Sequence, residues 1–475
     1  MAKLTGFSPA PIPGPRGLPL VGFQVNALRL LADPIRGLTA LRREHGDVVA
    51  VLGQSPALVC AFGAARNREV LSNAPLFEMD DAFFVPFPEG TNAHDMLSSL
   101  PFQRGEKARK TRRLMMPAFQ KSALDGYATD IVAETARALD TWPVGQTADV
   151  AVLVRELVRQ VAVRCIFGLS NEGGRRGLGE AMTEMVDLIA SPLTLALPWR
   201  VPGLPYARCL AACDAVMAQL RVLVDEKRRS GPGKDALALM IHARDEDGGS
   251  LSDLELLGAA ATLYVAGHDT QAKTLTWTLF LLEQHPEVLA ALMDELDAVL
   301  GDEPPTPAHL PRLPLLDRVI KESMRVLISV PTLFLRVCQE PASLGGHALP
   351  RLANVVLSPF ITHHDPALFP EPNRFLPARW ESIQPSIYEY LPFGAGARLC
   401  VGASFATQAL RLMLPMILKR YRPSLAPGAR VSFHVRANLL GPKYGLPMQL
   451  NRQDRAFARQ PSFRGDIREI VDLPG

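Results

Sequence analysis

The chain has 475 residues, with 51 basic against 48 acidic side chains, a formal net charge of +3 and 48% hydrophobic residues. That apolar fraction, beside 21% charged residues, excludes a disordered chain, and so small a net charge gives no argument for nucleic acid. Six cysteines without a Cys-x-x-Cys pair argue against a disulfide scaffold and fit a reducing cytoplasm.

Residues 1–10 are polar and read as a flexible N-terminus, and no run of 18 or more apolar residues follows, so neither a transmembrane anchor nor a signal peptide is expected. Pro11-Ile12-Pro13-Gly14-Pro15-Arg16-Gly17-Leu18-Pro19 reads as a stiff extended arm. Pro34 to His45 suits a short helix, and Val48 to Cys60 alternates like a hairpin. A basic helix through Arg109 and Arg112 is expected over Gly105 to Phe119, then apolar-faced helices over Ala123 to Leu139 and Val150 to Phe167. Ser191 to Pro205, rich in Pro and Leu and carrying Trp199, reads as a loop or lid between two helices. The second of these runs to about Arg229, where Ser230-Gly231-Pro232-Gly233 breaks it. Ser252 and Glu255 form a capping box that opens the longest helix, which runs to about Gln284 and stops before Pro286. Its middle is apolar nearly all round (Leu256, Leu257, Ala259, Leu263, Val265), so it should cross the interior. A further helix is expected from near Val319 to Leu327, then short strands and turns to Leu357, and a loop from His364 to Pro392. The tail from Asn451 to Gly475 is polar, so disorder or contact with a partner is expected for it.

The densest chemistry lies in Phe393-Gly394-Ala395-Gly396-Ala397-Arg398-Leu399-Cys400-Val401-Gly402. The glycines allow a tight turn with amide N–H groups facing inward, and a helix follows to about Tyr421. Both the amide nest and the positive helix end favour Cys400 as a thiolate, the form that binds metal. Arg398 can reach a carboxylate, Phe393 can cover the sulfur, and Gly402 lets a flat group lie against the backbone. The bland alternative is a buried, inert cysteine. The full pattern, Phe-x-x-Gly-x-Arg-x-Cys-x-Gly, resembles the cytochrome P-450 family of haem-thiolate monooxygenases, and every fixed position of their proximal signature is matched.

The resemblance extends to Ala266-Gly267-His268-Asp269-Thr270 in the long helix, which is similar to the family's oxygen-activating motif. It implies that Gly267 makes room for dioxygen, that Thr270 offers it a hydrogen bond and that Asp269 shuttles protons. The alternatives are a threonine bonded back to the Ala266 carbonyl and a solvated aspartate. His268 occupies the variable position and reads as a packing or surface residue. Glu322 and Arg325, three apart on a helix, resemble the family's structural pair, with Arg374 as the expected third member of a buried charge cluster. Arg398, Arg336 and Arg112 are the implied propionate partners; Ala108 stands where the family often has His or Trp. Arg104, Lys107, Arg109, Lys110 and Arg113 form either a solvated face or a docking patch for an acidic protein. The implied substrate pocket is apolar: Phe83, Phe84, Val85, Phe87, Leu263, Val330, Leu333, Phe334 and Leu439.

The resemblance implies a mainly α fold, a triangular helical prism with small β-sheets, forming one catalytic domain over residues 11–450. It implies haem b and a monooxygenase that inserts one atom of O2 into a lipophilic molecule: fatty acid, terpenoid, steroid or polyketide. No Gly-x-Gly-x-x-Gly loop is present, so electrons from NAD(P)H must arrive through a ferredoxin or flavodoxin and its reductase. A cytoplasmic monomer is expected. The rival readings are a haem-thiolate peroxygenase, isomerase or dehydratase needing no external electrons, and a non-catalytic haem sensor or electron carrier.

Overall fold

The computed structural model describes residues 12–15, 26, 29–30, 32–52, 55–79, 87–96, 103–169, 176–460 and 462–474. Its longer helices are α1 (Pro34–His45), α2 (Gly63–Leu71), α3 (Gly105–Met115), α4 (Lys121–Asp140), α5 (Val150–Phe167), α6 (Arg176–Ile189), α7 (Pro205–Ser230), α8 (Asp253–Gln284), α9 (Pro286–Leu300), α10 (Pro314–Val326) and α11 (Ala403–Arg420). The strands are β1 (Val48–Leu52), β2 (Ser55–Ala61), β3 (Phe77–Met79), β4 (Thr147–Asp149), β5 (Arg336–Cys338), β6 (Ala342–Leu344), β7 (His347–Leu349), β8 (Asn354–Leu357), β9 (Tyr421–Leu425), β10 (Phe433–Arg436), β11 (Leu439–Pro442) and β12 (Pro447–Arg452).

The capping box forms as its residues dictate. The Glu255 N–H donates to Ser252 Oγ, and the Glu255 carboxylate accepts the Ser252 N–H at 3.0 Å. From there α8 runs 32 residues, and its buried Leu256, Leu257, Tyr264, Trp277 and Phe280 take it through the main core. Helix α5 lies along it, started by the Asp149 side chain and ended at Gly168 with φ +67°. A five-stranded sheet of order β1-β2-β8-β5-β3 covers a second, smaller core. The other sheets are β4-β12-β9 and the hairpins β6-β7 and β10-β11. No helix among the described residues is long and apolar enough to cross a membrane.

Two expectations need correction. Helix α10 begins at Pro314, not near Val319, because the Glu295 carboxylate of α9 caps it by accepting the Leu315 and Leu316 N–H groups at 2.8 and 3.0 Å. Helix α8 stops before Pro286 as expected, and Pro286 also opens α9, a helix not placed from the sequence, as its first residue, where its missing N–H costs nothing. The tail is neither loose nor free. Gln460 is held by Glu283, Phe463 packs edge-on against Phe280, and Ile467 and Val471 are fully buried.

Candidate active site

The cysteine loop is shaped by glycine where nothing else fits. Gly394 and Gly396 both have φ +71°, and a Cβ on Gly396 would lie 2.1 Å from the Leu71 carbonyl oxygen at the end of α2. The Cys400 N–H closes the loop onto the Phe393 carbonyl at 2.9 Å, and half-buried Phe393 packs against the main core. A Cβ on Gly402 would meet Cys400 Sγ at 4.0 Å and Phe119 at 3.8 Å. Cys400 is exposed, whereas the other five cysteines are buried.

Although Cys400 is exposed, protein crowds its sulfur, and that burial pushes its thiol above the ordinary range. The Gly402 N–H and the Arg112 charge pull it down, and burial wins. The nest and helix end alone therefore do not make the thiolate, as the sequence suggested; a cation on the sulfur would.

Past its first turn, helix α8 is least buried mid-way along, at Ala266. Ala266 is exposed, Gly267 and Thr270 are half-buried, and Leu263 lies just below, at the three-and-four spacing of one helix face. A Cβ on Gly267 would touch only Gln271 Nε2, at 3.9 Å. Thr270 Oγ1 donates to the Ala266 carbonyl at 2.7 Å, so the back-bonded conformation is the one present. The Thr270 carbonyl accepts from Thr274 Oγ1 at 3.0 Å and Ser329 Oγ at 2.9 Å. The segment from Ser329 continues to Leu333, whose Cδ2 lies 3.9 Å from where Gly394 would carry a Cβ, and then to Arg336. One stretch of chain thus links the Thr270 turn, the cysteine loop and the arginines.

Asp269 faces α5 and is not a solvated charge. It pairs with Arg155 Nε at 2.8 Å, and Arg155 reaches Asp187 at 2.7 Å. Burial raises the Asp269 pKa, but His268, Arg155 and Lys273 outweigh it, so the carboxylate stays below its ordinary range. His268 is wholly buried, stacked on Tyr264 with ring centroids 5.2 Å apart; its ring nitrogens have no hydrogen-bond partner. Burial pushes its pKa down to about 4, and it is a packing residue.

The arginines supply a test of whether haem fits. Arg336 is buried, and its Nη1 has no hydrogen-bond partner. Burial, and then the neighbouring Arg398 charge, lower its pKa to about 10. Arg398 donates to the Gln103 carbonyl at 2.6 Å, and Arg112 Nη1 to the Leu399 carbonyl at 2.6 Å. Mutually repelling cations beside a cysteine call for anionic groups, and two propionates with a thiolate-bound iron answer that demand. Buried Ala108 adds no polar contact there.

The charge cluster differs from expectation in one member. Glu322 and Arg325 are fully buried and form a two-pronged pair at 2.9 and 2.9 Å. Glu322 also accepts from Leu376 N, Arg379 Nε and Trp380 Nε1, each at 2.9 Å. The third charged partner is Arg379, not Arg374. The Arg374 side chain is half exposed and pairs with Glu371; only its carbonyl meets Arg325, at 2.9 Å. The Arg374 assignment rested on a loop position, and only the path of residues 372–380 distinguishes it from Arg379.

On the basic face of α3, Lys107 meets Glu255, Lys110 meets Asp245, and Arg109 and Arg113 share Glu106, while Arg104 lies 4.0 Å from Glu78. The charges there are largely balanced. Of the pocket residues, Phe83, Phe84 and Val85 lie outside the described residues. Phe87 is buried and stacked on Tyr206 of α7 at 6.3 Å; Leu263 is buried, Val330, Leu333 and Leu439 are half-buried, and Phe334 is exposed. Unforeseen was a polar pair at the cleft segment, Asn438 Nδ2 donating to the Thr332 carbonyl at 2.7 Å.

A family model described as Cytochrome P450 matches residues 12–444. Cyclooctatin synthase of Streptomyces melanosporofaciens is 32% identical, over 88% of this chain and 91% of its own length. Cyclooctat-9-en-7-ol 5-monooxygenase of the same organism is 32% identical, over 87% and 90%. Pentalenene oxygenase of Streptomyces avermitilis is 29% identical, over 88% and 92%. Among solved structures, retinoic acid bound cyanobacterial CYP120A1 aligns with a TM-score of 0.81 at 23% identity, covering 94% of this chain and 100% of that one. The last likeness is one of fold.

Proposed function

The chain belongs to the cytochrome P450 family, and from that premise we propose that it inserts one atom of O2 into a neutral, terpenoid-type molecule with electrons from a separate protein. The family makes it a haem-dependent, oxygen-incorporating oxidoreductase. The observation that carries the finer reading is the open turn of Ala266, Gly267 and Thr270 above buried Leu263 on a largely buried helix, joined by one segment to the cysteine loop.

Bound haem supplies the activation of oxygen. In this reading Cys400 would hold the iron, and Arg336, Arg398 and Arg112 would hold the propionates. Gly267 leaves room above the ring. Thr270 Oγ1 donates a hydrogen bond to the Ala266 carbonyl and still has lone pairs, so it can accept from a water or turn its O–H into the cleft. Asp269 can bring protons inward when its carboxylate leaves Arg155, since Arg155 keeps Asp187 as a partner. The described pocket candidates carry no charge, and the Thr332 and Asn438 groups satisfy each other, which favours a hydrocarbon-like substrate. The names of the relatives, which include pentalenene and cyclooctat-9-en-7-ol, point the same way. NAD(P)H through a ferredoxin or flavodoxin and its reductase is the electron route we favour, with little steering from the balanced face of α3.

The test is a titration of ferric holoprotein with cyclic sesquiterpene and diterpene hydrocarbons and with fatty acids. Turnover under 18O2 with a surrogate ferredoxin and reductase follows. A high-spin shift with a terpene and one labelled oxygen in the product are expected. Product formed with hydrogen peroxide, and none with supplied electrons, would replace this reading by the peroxygenase one.

A further inference from the structure

The family match ends at residue 444, yet the chain beyond it is tied into the hairpin beside the cleft. The Val431 N–H donates to the Arg464 carbonyl at 2.7 Å, and the Arg464 N–H donates to the Ala429 carbonyl at 2.9 Å. Between these contacts and Asp466 sits Gly465, with φ +116°. A Cβ on it would fall 2.1 Å from the Val431 carbonyl oxygen, so only glycine allows the approach. Asp466 Oδ1 then accepts the Phe433 N–H at 3.1 Å, at the root of β10. Ile467 and Val471 anchor the strap in the core, and Arg36 grips it from outside through Asp466 at 2.9 Å and Glu469 at 2.8 Å.

The hairpin held in this way reaches the site. Its register runs from Phe433 opposite Pro442 to Arg436 opposite Leu439, leaving a two-residue turn with Ala437 at φ +48° and Asn438 at φ +61°. A left-handed alanine is strained, and the turn is held by the Asn438 contact to Thr332. The Leu440 N–H donates to the Ser329 carbonyl at 2.9 Å, the Leu440 carbonyl accepts from Trp277 Nε1 at 3.2 Å, and Ser329 Oγ reaches the Thr270 carbonyl at 2.9 Å. An unbroken run of contacts therefore leads from Asp466 to the Thr270 turn.

We propose that the C-terminal strap is a positioning element of the substrate cleft: Asp466, through the Phe433 N–H, sets where the β10-β11 hairpin carries Leu439, and so sets the room for a bulky ligand beside Thr270. The inference rests on the cytochrome reading of the cleft. Asp466 touches no reacting atom; it acts through the hairpin. Arg36 fastens the strap and also lies over the Phe433 ring, 4.9 Å from its centroid, so it bears on the same hairpin root, whereas Glu469 adds only the outer grip on the strap.

The experiment uses full-length ferric holoprotein and two probes read by difference spectra. Imidazole is too small to feel the hairpin, and 1-phenylimidazole is large enough. Asp466→Ala should weaken 1-phenylimidazole by about threefold to tenfold while leaving imidazole unchanged. Asp466→Asn, which keeps an acceptor for the Phe433 N–H, should restore the bulky probe. Glu469→Gln, which removes only the outer ion pair of the strap with Arg36, should leave both affinities intact. If Asp466→Ala does not fold, Asn438→Ala interrupts the next link and should show the same split between probes. Both probes shifting together, neither shifting, or failure of Asp466→Asn to rescue would overturn the proposal. A wild-type holoprotein that binds haem yet gives no azole spectrum would instead overturn the cytochrome reading itself.

Discussion

Arg379→Ala and Arg374→Ala lie five residues apart in one loop, and the structure assigns them opposite consequences. Arg379 is nearly buried; its Nε meets Glu322 at 2.9 Å, and its other nitrogens meet the Pro370 and Glu371 carbonyls at 2.6 and 3.1 Å. Its removal deletes one charge-assisted hydrogen bond to a fully buried carboxylate and leaves two carbonyls to find water. Glu322 keeps Arg325, so no bare charge remains, and the expected loss is about 2–3 kcal/mol. Arg374→Ala removes a half-exposed pair with Glu371 and should cost less than about 1 kcal/mol. Arg325→Ala is the upper bound. It leaves Glu322 with Arg379 as its remaining cation, strips both prongs of the buried pair and frees the His363, Pro372 and Arg374 carbonyls, for roughly 3–5 kcal/mol or outright failure to retain haem. Urea midpoints at constant slope, with the carbon-monoxide difference spectrum as a measure of haem retention, rank the three. Arg374→Ala destabilising as much as Arg379→Ala would refute the reasoning.

Cys400→Ser should abolish the thiolate-type carbon-monoxide spectrum, and an unchanged spectrum would remove Cys400 as the iron ligand. Thr270→Ala should keep haem and ligand binding, because the lost bond to Ala266 is internal to the helix, and should divert electrons to hydrogen peroxide. Unaltered product per NAD(P)H would sink the proton-handling role. Gly396→Ala, with its Cβ against the Leu71 carbonyl, should prevent stable haem binding, whereas Gly394→Ala has 3.9 Å of room and should cost only the left-handed strain, about 1–2 kcal/mol; equal effects would mean that strain alone decides. His268 should shape the acid limb of stability. Its folded pKa of about 4 lies below its ordinary 6.5, so the unfolded chain takes up the proton first, and stability is full above about pH 6.5 and falls towards pH 4. The groups around it are Asp269, Arg155, Arg159 and Asp187. Its share is about 3 kcal/mol, and His268→Gln should flatten the stability-against-pH curve by that order; an unchanged slope would show that His268 contributes nothing to it.

Much of the frame was legible because its signals are local. The Ser252 capping box and the helices from Pro34 to His45 and Val150 to Phe167 are each fixed by a few neighbouring residues, and the structure places those helices where the sequence did. The misses are tertiary. The start of α10 depends on a carboxylate from α9, and the tail takes its order from Glu283, Phe280 and Val431, at sequence distances of 30 to 180 residues that no local pattern carries. Arg374 and Arg379 illustrate the same limit at short range. Both are arginines in one proline-rich loop, and only the turn at residues 372–380 decides which guanidinium faces Glu322.

The cleft stands out physically as the place where local rules are broken together. Arg336 is buried with an unpartnered nitrogen beside another cation, the thiol of Cys400 is held above its ordinary range, Gly267 weakens the middle of the longest helix without a packing reason, and Ala437 sits left-handed at the tip of the neighbouring hairpin. Each feature alone costs about a kcal/mol or more and has a bland explanation. Their convergence along the segment from Ser329 to Arg336 does not. A chain folds stably with such features when something else meets them, and a single group carrying two carboxylates and a thiophilic cation on a flat ring meets the first three at once. The fourth is met by protein, through Asn438 and the strap behind Phe433. In the proposed reading, haem would complete one side of the cleft and the chain's own C-terminal residues complete the other, so substitutions in the strap should spare haem binding while those at the arginines should not.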